Sequence, residues 1–123
     1  MAWIYVLALG ALMASIGIAM GAFGAHALKE KLTIADLTIF DTAARYFMYS
    51  AFGVCIVGLT LIKIENKFIK FAAGAIGLGG MIFSGSLLIL IFTGIRSWGA
   101  VTPVGGLLLI IGWLCLAIGL VSH

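Results

Sequence analysis

The sequence predicts an all-α membrane protein: a bundle of four transmembrane helices threaded up and down in antiparallel order, with an interfacial, amphipathic start to the second. Three observations predict it. Of the 123 residues, 64% are apolar and 9% charged, whereas soluble domains carry roughly 25% charged residues, too many to be matched from this stock. The mean hydropathy is +1.31, and a soluble domain this small would have to show much of its surface to water. Finally, four apolar runs stand at about 3–28, 40–62, 71–93 and 103–121, each meeting the roughly 20 residues that a helix needs to cross hydrocarbon. They form a single integral membrane domain over 1–123.

The runs are helices rather than barrel strands, because strands need only about ten residues of alternating character and these runs are uninterrupted. The first resembles a signal peptide, with Ala25-His26-Ala27 as a loose cleavage site. It lacks a basic leader and its apolar run is too long, so an uncleaved span is expected. In the first connector, Thr33-Ile34-Ala35-Asp36 places a capping hydroxyl before an acid that favours the positive end of a helix dipole. A helix is therefore expected to start near Ile34. Run on to Ile62, it is about 43 Å long against a hydrocarbon core of about 30 Å, so its first turns should lie in the interface or the helix should tilt. At helical spacing Leu37, Phe40, Ala44, Phe47 and Met48 share one face, while Thr38, Asp41, Thr42 and Arg45 share another.

The second connector, 63–70, holds three lysines, and the third, 94–102, holds Arg96 and an interfacial Trp98. With four spans the lysine connector lies on the side of the termini. The basic residues number three there and four opposite, so the positive-inside rule barely decides; cytoplasmic termini are expected only because the bases of the first connector are locally matched by acids.

Seven Lys and Arg against four Asp and Glu give a net charge of +3, but the bases are dispersed, and nucleic acid is not expected as a partner. Membrane lipid is. Cys55 and Cys115 fall inside apolar runs without metal or redox spacing and read as core residues. No cofactor or metal is expected. Small residues mark the faces on which helices approach closely in lipid. Of the 17 glycines, Gly17 and Gly21 belong to such a series on the first span. Gly74, Gly77 and Gly80 do so on the third, and Gly105, Gly112 and Gly119 recur every seven residues on the fourth. Some of these stripes are expected to meet a second copy or a partner subunit, since so small a bundle has a thin interior.

Threading collects the polar residues on one membrane face: His26, Asp41, Arg45, Tyr46, Thr93 and Thr102, with Ser84 and Ser86 about two turns beneath. His26, as an imidazole, suits a proton acceptor, a ligand or a pH sensor; more simply, it bonds a carbonyl or a neighbouring helix at the interface. Arg45 most simply snorkels or pairs with Asp41 one turn earlier. Ser84 and Ser86 are expected to bond carbonyls of their own helix, and Pro103 fits a helix start. There is no HExxH, phosphate loop, GxSxG or paired-carboxylate pattern, and no acid at depth of the kind proton carriers bury. An enzyme is not expected.

Several segments together are familiar. Gly21-Ala22-Phe23-Gly24-Ala25-His26-Ala27-Leu28, Ala44-Arg45-Tyr46 followed by Tyr49, Phe83-Ser84-Gly85-Ser86-Leu87 with Thr93-Gly94, Thr102-Pro103-Val104-Gly105-Gly106, and Gly112-Trp113 resemble the domain of unknown function 423 family. That family is similar to eukaryotic transmembrane protein 256. The resemblance spans nearly the whole chain and implies a four-helix protein of a bacterial inner membrane or an organelle of that descent. It brings no activity with it. The family often carries histidine after the second tyrosine, where this chain has Ser50. A packing scaffold or accessory subunit is therefore the leading expectation. A channel or small-solute transporter with a vestibule at the His26, Arg45 and Thr102 face is the alternative, and chemistry on lipid headgroups a distant third.

Overall fold

The computed structural model describes residues 2–123. Those residues form four long helices, α1 (Ala2–Leu28), α2 (Ile34–Thr60), α3 (Lys67–Thr93) and α4 (Thr102–Val121), with a short 3₁₀ turn at Arg96–Ala100 before the last. All four spans are long and apolar enough to cross a membrane. At 1.5 Å per residue the first three are each about 40 Å long, beyond the roughly 30 Å of hydrocarbon, so their ends reach the interface. Among the described residues there is no strand.

Local chemistry sets the ends. Thr33, in extended conformation, accepts from the Asp36 amide at 3.1 Å and opens α2. Asn66 does the same for α3 through the Ile69 amide at 3.1 Å. Gly94 closes α3 with φ of +72°, a left-handed turn that only glycine adopts freely. Pro103 sits in the first turn of α4, where its missing N–H costs nothing. Within α1, Met20–Gly24 widens into a π turn, closed by the Ala25 amide on the Met20 carbonyl; such turns insert a residue without breaking the helix.

Each helix packs mainly on its neighbours in the chain, so the four form a row in which α2 and α3 are inner and α1 and α4 are edges. Along α1 the residues turned to α2 are Gly10, Met13 and Gly17, followed by Met20 and Gly24 against Phe40. That alternation of three and four is a 3.5-residue seam. Gly21 stands one place off it, and a Cβ there would meet nothing within 4 Å. α3 has two packed faces. Gly77, Gly80 and Ser84 face Val54, Ser50 and Ala43 of α2, while Ile69, Ile76 and Gly79 face Gly119, Gly112 and Gly105 of α4. Gly74 has open space. The core proper is apolar: Met13, Val54, Val57, Ile69 and Ile76 are almost wholly buried.

The tightest approach to another helix's backbone is at Gly105, where a Cβ would collide with the Phe83 backbone nitrogen and lie 2.7 Å from the Gly79 carbonyl oxygen. Gly105→Ala should therefore destabilise the protein by about 1–3 kcal/mol, the usual range for overpacking. Gly74→Ala should be neutral or stabilise by up to about 1 kcal/mol through helix propensity. Equilibrium unfolding in mixed micelles measures both.

Candidate functional site

The polar end is built from the C-terminal end of α1, the first turns of α2, the last turns of α3 and the start of α4. The expected residues are placed there, though not as one cluster. Asp41 and Arg45, one turn apart on α2, pair at 3.1 Å with both side chains at least half exposed. They border a depression of about 380 Å³ whose other wall is Gly17, Ile18, Gly21 and Ala22 of α1. His26 is exposed on the last turn of α1 and does not line that depression. Tyr46 points the other way around α2. Its ring stacks on Phe83 of α3 at 4.5 Å and meets Tyr49 edge-on at 5.3 Å.

The hydroxyls beneath this end are spent on packing. The Ser84 hydroxyl donates to the Ala43 carbonyl of α2 at 2.7 Å, fully buried. This corrects the expectation of a bond within its own helix: Gly80 and Ser50, one turn below, bring the two backbones close enough for a short side chain to cross. Ser86 bonds the Phe83 carbonyl of its own helix at 2.9 Å and shares a 2.6 Å hydrogen bond with Thr102 at the start of α4. Thr93 donates to the Ile89 carbonyl at 2.6 Å and accepts from the Ile95 amide at 3.2 Å, turning the chain out of α3. Among the described residues every buried side-chain polar atom has a partner, and no group of three His, Cys, Asp or Glu side chains is placed to hold a metal.

Several participants escaped the sequence reading. Asp36, whose side chain is only 14% exposed, pairs with Arg96 at 3.3 Å and ties the start of α2 to the turn before α4. No local pattern announces a contact across 60 positions. A groove of about 560 Å³ lies between α2 and α4, walled by Tyr46, Tyr49, Gly106, Leu109 and Trp113. Ser50, wholly buried, donates to the Tyr46 carbonyl at 2.9 Å and sits against Gly80. At the opposite end the Asn66 amide donates to the Gly119 carbonyl at 3.1 Å while its oxygen caps α3. An Asn three residues before a helical amide is a recognisable cap; its second bond is not.

Four apolar helices and a polar end whose groups bond chiefly to one another define a small multi-pass helical membrane protein. The chain belongs to the family described as protein of unknown function (DUF423), which matches residues 20–106. It is 41% identical over 111 residues to a UPF0382 membrane protein of Staphylococcus saprophyticus, covering 90% of this chain and 92% of that one. Similarity to the UPF0382 membrane protein YwdK of Bacillus subtilis is 37% over 116 residues, 94% of each chain. A UPF0382 membrane protein of Haemophilus influenzae is 37% identical over 113 residues, 92% of this chain and 90% of that one. No solved structure matches.

The Asp36–Arg96 pair is half in water, so a double-mutant cycle with Asp36→Asn and Arg96→Gln should give a coupling of about 0.2–1 kcal/mol. The coupling should shrink in high salt. Ser84→Ala, read in the same unfolding assay, should cost about 0.6 kcal/mol, the average for a hydrogen bond between membrane helices, and be insensitive to salt.

Proposed function

We propose that this protein is a non-enzymatic packing scaffold or accessory subunit of a bacterial inner membrane, working as an antiparallel four-helix unit whose edge helices meet copies of itself or a larger complex. The threading is supported by the reversed order of the contacts: Leu7, Gly10, Gly17 and Gly24 of α1 meet Gly58, Cys55, Met48 and Phe40 of α2 in turn. One observation carries the functional reading. Ser84 and Ser86, the hydroxyls beneath the His26, Arg45 and Thr102 face, are engaged in bonds to Ala43 and Thr102, which favours packing over transport. A chain built as a row also leaves α1 and α4 with broad outer faces, such as Tyr5, Leu12 and Phe23 on α1. Small residues without a neighbour inside the chain, Gly21 and Gly74, are suited to close approach by another helix.

A defined oligomer, or a stably associated partner, is expected after extraction in mild detergent, as measured by light scattering. A strictly monomeric protein with nothing bound would overturn the proposal. Gly21→Leu and Gly74→Leu separate assembly from folding, because a Cβ at either position meets nothing within 4 Å inside the chain. Each should leave the unfolding midpoint of the single chain unchanged or slightly raised, and at least one should weaken the oligomer.

A further inference from the structure

We infer that the slot between the start of α3 and the lower half of α4 binds an anionic phospholipid, its phosphate against the Lys67 ammonium and one acyl chain along Phe71 and Cys115. The slot has a volume of about 310 Å³ and is walled by Lys67, Phe68, Phe71 and Cys115. Lys67 is the first residue of α3 after its Asn66 cap, so the positive end of the helix dipole adds to its charge. Its ammonium stands 5.4 Å from the centre of the Phe68 ring, which holds the cation over the mouth of the slot. Phe71 follows one turn deeper on the same helix face.

The partner helix sets the depth. Asn66 is bonded to the Gly119 carbonyl, which fixes the level of Lys67 on α4. Cys115, four residues before Gly119, lies about 6 Å further into the membrane. From surface to interior the slot thus presents a cation, an aromatic ring and then purely apolar walls. A phospholipid presents its groups in the same order.

Charge selects the headgroup. The connector carries Lys63, Glu65, Lys67 and Lys70, three bases to one acid. Glu65 is engaged with Lys70 at 3.3 Å, and among the described residues no carboxylate lies within 4.0 Å of the Lys67 ammonium. At the opposite end Arg45 and Arg96 are each paired with an aspartate. A lipid with net negative charge gains from Lys67 what a zwitterionic one, bearing its own ammonium, largely gives up.

Cys115, half-buried in the slot wall, supplies the readout. In the full chain carrying Cys55→Ser, maleimide alkylation of Cys115 is followed in zwitterionic detergent-lipid micelles with added phosphatidylglycerol, phosphatidylcholine or inorganic phosphate. Phosphatidylglycerol should slow the reaction at about fivefold lower concentration than phosphatidylcholine, the effect of one lysine near the surface, and phosphate should not slow it. Lys67→Gln, at an exposed position, should remove the difference, while Lys29→Gln at the opposite end should keep it. Equal protection by the two lipids, protection by phosphate alone, or a preference surviving Lys67→Gln would overturn the assignment.

Discussion

Hydrocarbon offers a backbone nothing to bond to, and this structure depends on that constraint first. Each unsatisfied amide or carbonyl costs several kcal/mol in lipid, so the chain must close its hydrogen bonds inside each segment. The side chains obey the same rule. Thr42, Thr60, Thr93 and Ser50 each return a hydroxyl to the carbonyl four residues back. Ser84 and Ser86 reach further because a neighbouring helix is near enough to accept or share the proton. Polarity inside the span is therefore spent on holding helices.

That distance is the second constraint. Apolar contact between helices wins little when lipid is just as apolar, so association has to come from dispersion and a few hydrogen bonds, both short-ranged. The helices meet where a side chain is absent on one of them: Gly80 on Ser50 between α3 and α2, Gly105 on the Phe83 backbone and Gly112 on Ile76 between α4 and α3. At Ser50 the consequence is specific. It is wholly buried against Gly80, so an imidazole there would force α2 and α3 apart. The residue by which this chain departs from the family resemblance is thus one its α2–α3 contact needs to be small.

How much of this was legible in the sequence follows from the range of each interaction. The four helices, the Thr33 cap and the Asp41–Arg45 pair depend on residues within a turn of each other or on composition, and all were readable. The glycine seams were half readable. Gly105, Gly112 and Gly119 do sit against α3, because a seven-residue repeat keeps one face. Spacing alone places Gly21 with Gly17, yet the seam runs through Met20 and Gly24, and a choice between adjacent places on a helix is settled by the partner. Asp36 with Arg96, Ser84 with Ala43 and Asn66 with Gly119 join residues 41 to 60 positions apart, where a single sequence carries no local signal.

The polar end then takes on a different meaning from the one its composition suggests. His26, Asp41, Arg45 and Thr102 come from three helices and flank the first and third connectors, which share one end wherever successive helices alternate in direction. What distinguishes a site from a collar is convergence on a common space. Here Arg45 turns to Asp41, Thr102 to Ser86, Tyr46 to Phe83 and Arg96 to Asp36, each contact tying adjoining turns or neighbouring segments. These contacts tie α2, α3 and the start of α4 together at that end, as Asn66 and Gly119 tie α3 to α4 at the other. Each end is thus tied by its own contacts, while on the lysine-bearing rim no carboxylate among the described residues lies within 4.0 Å of the Lys67 ammonium.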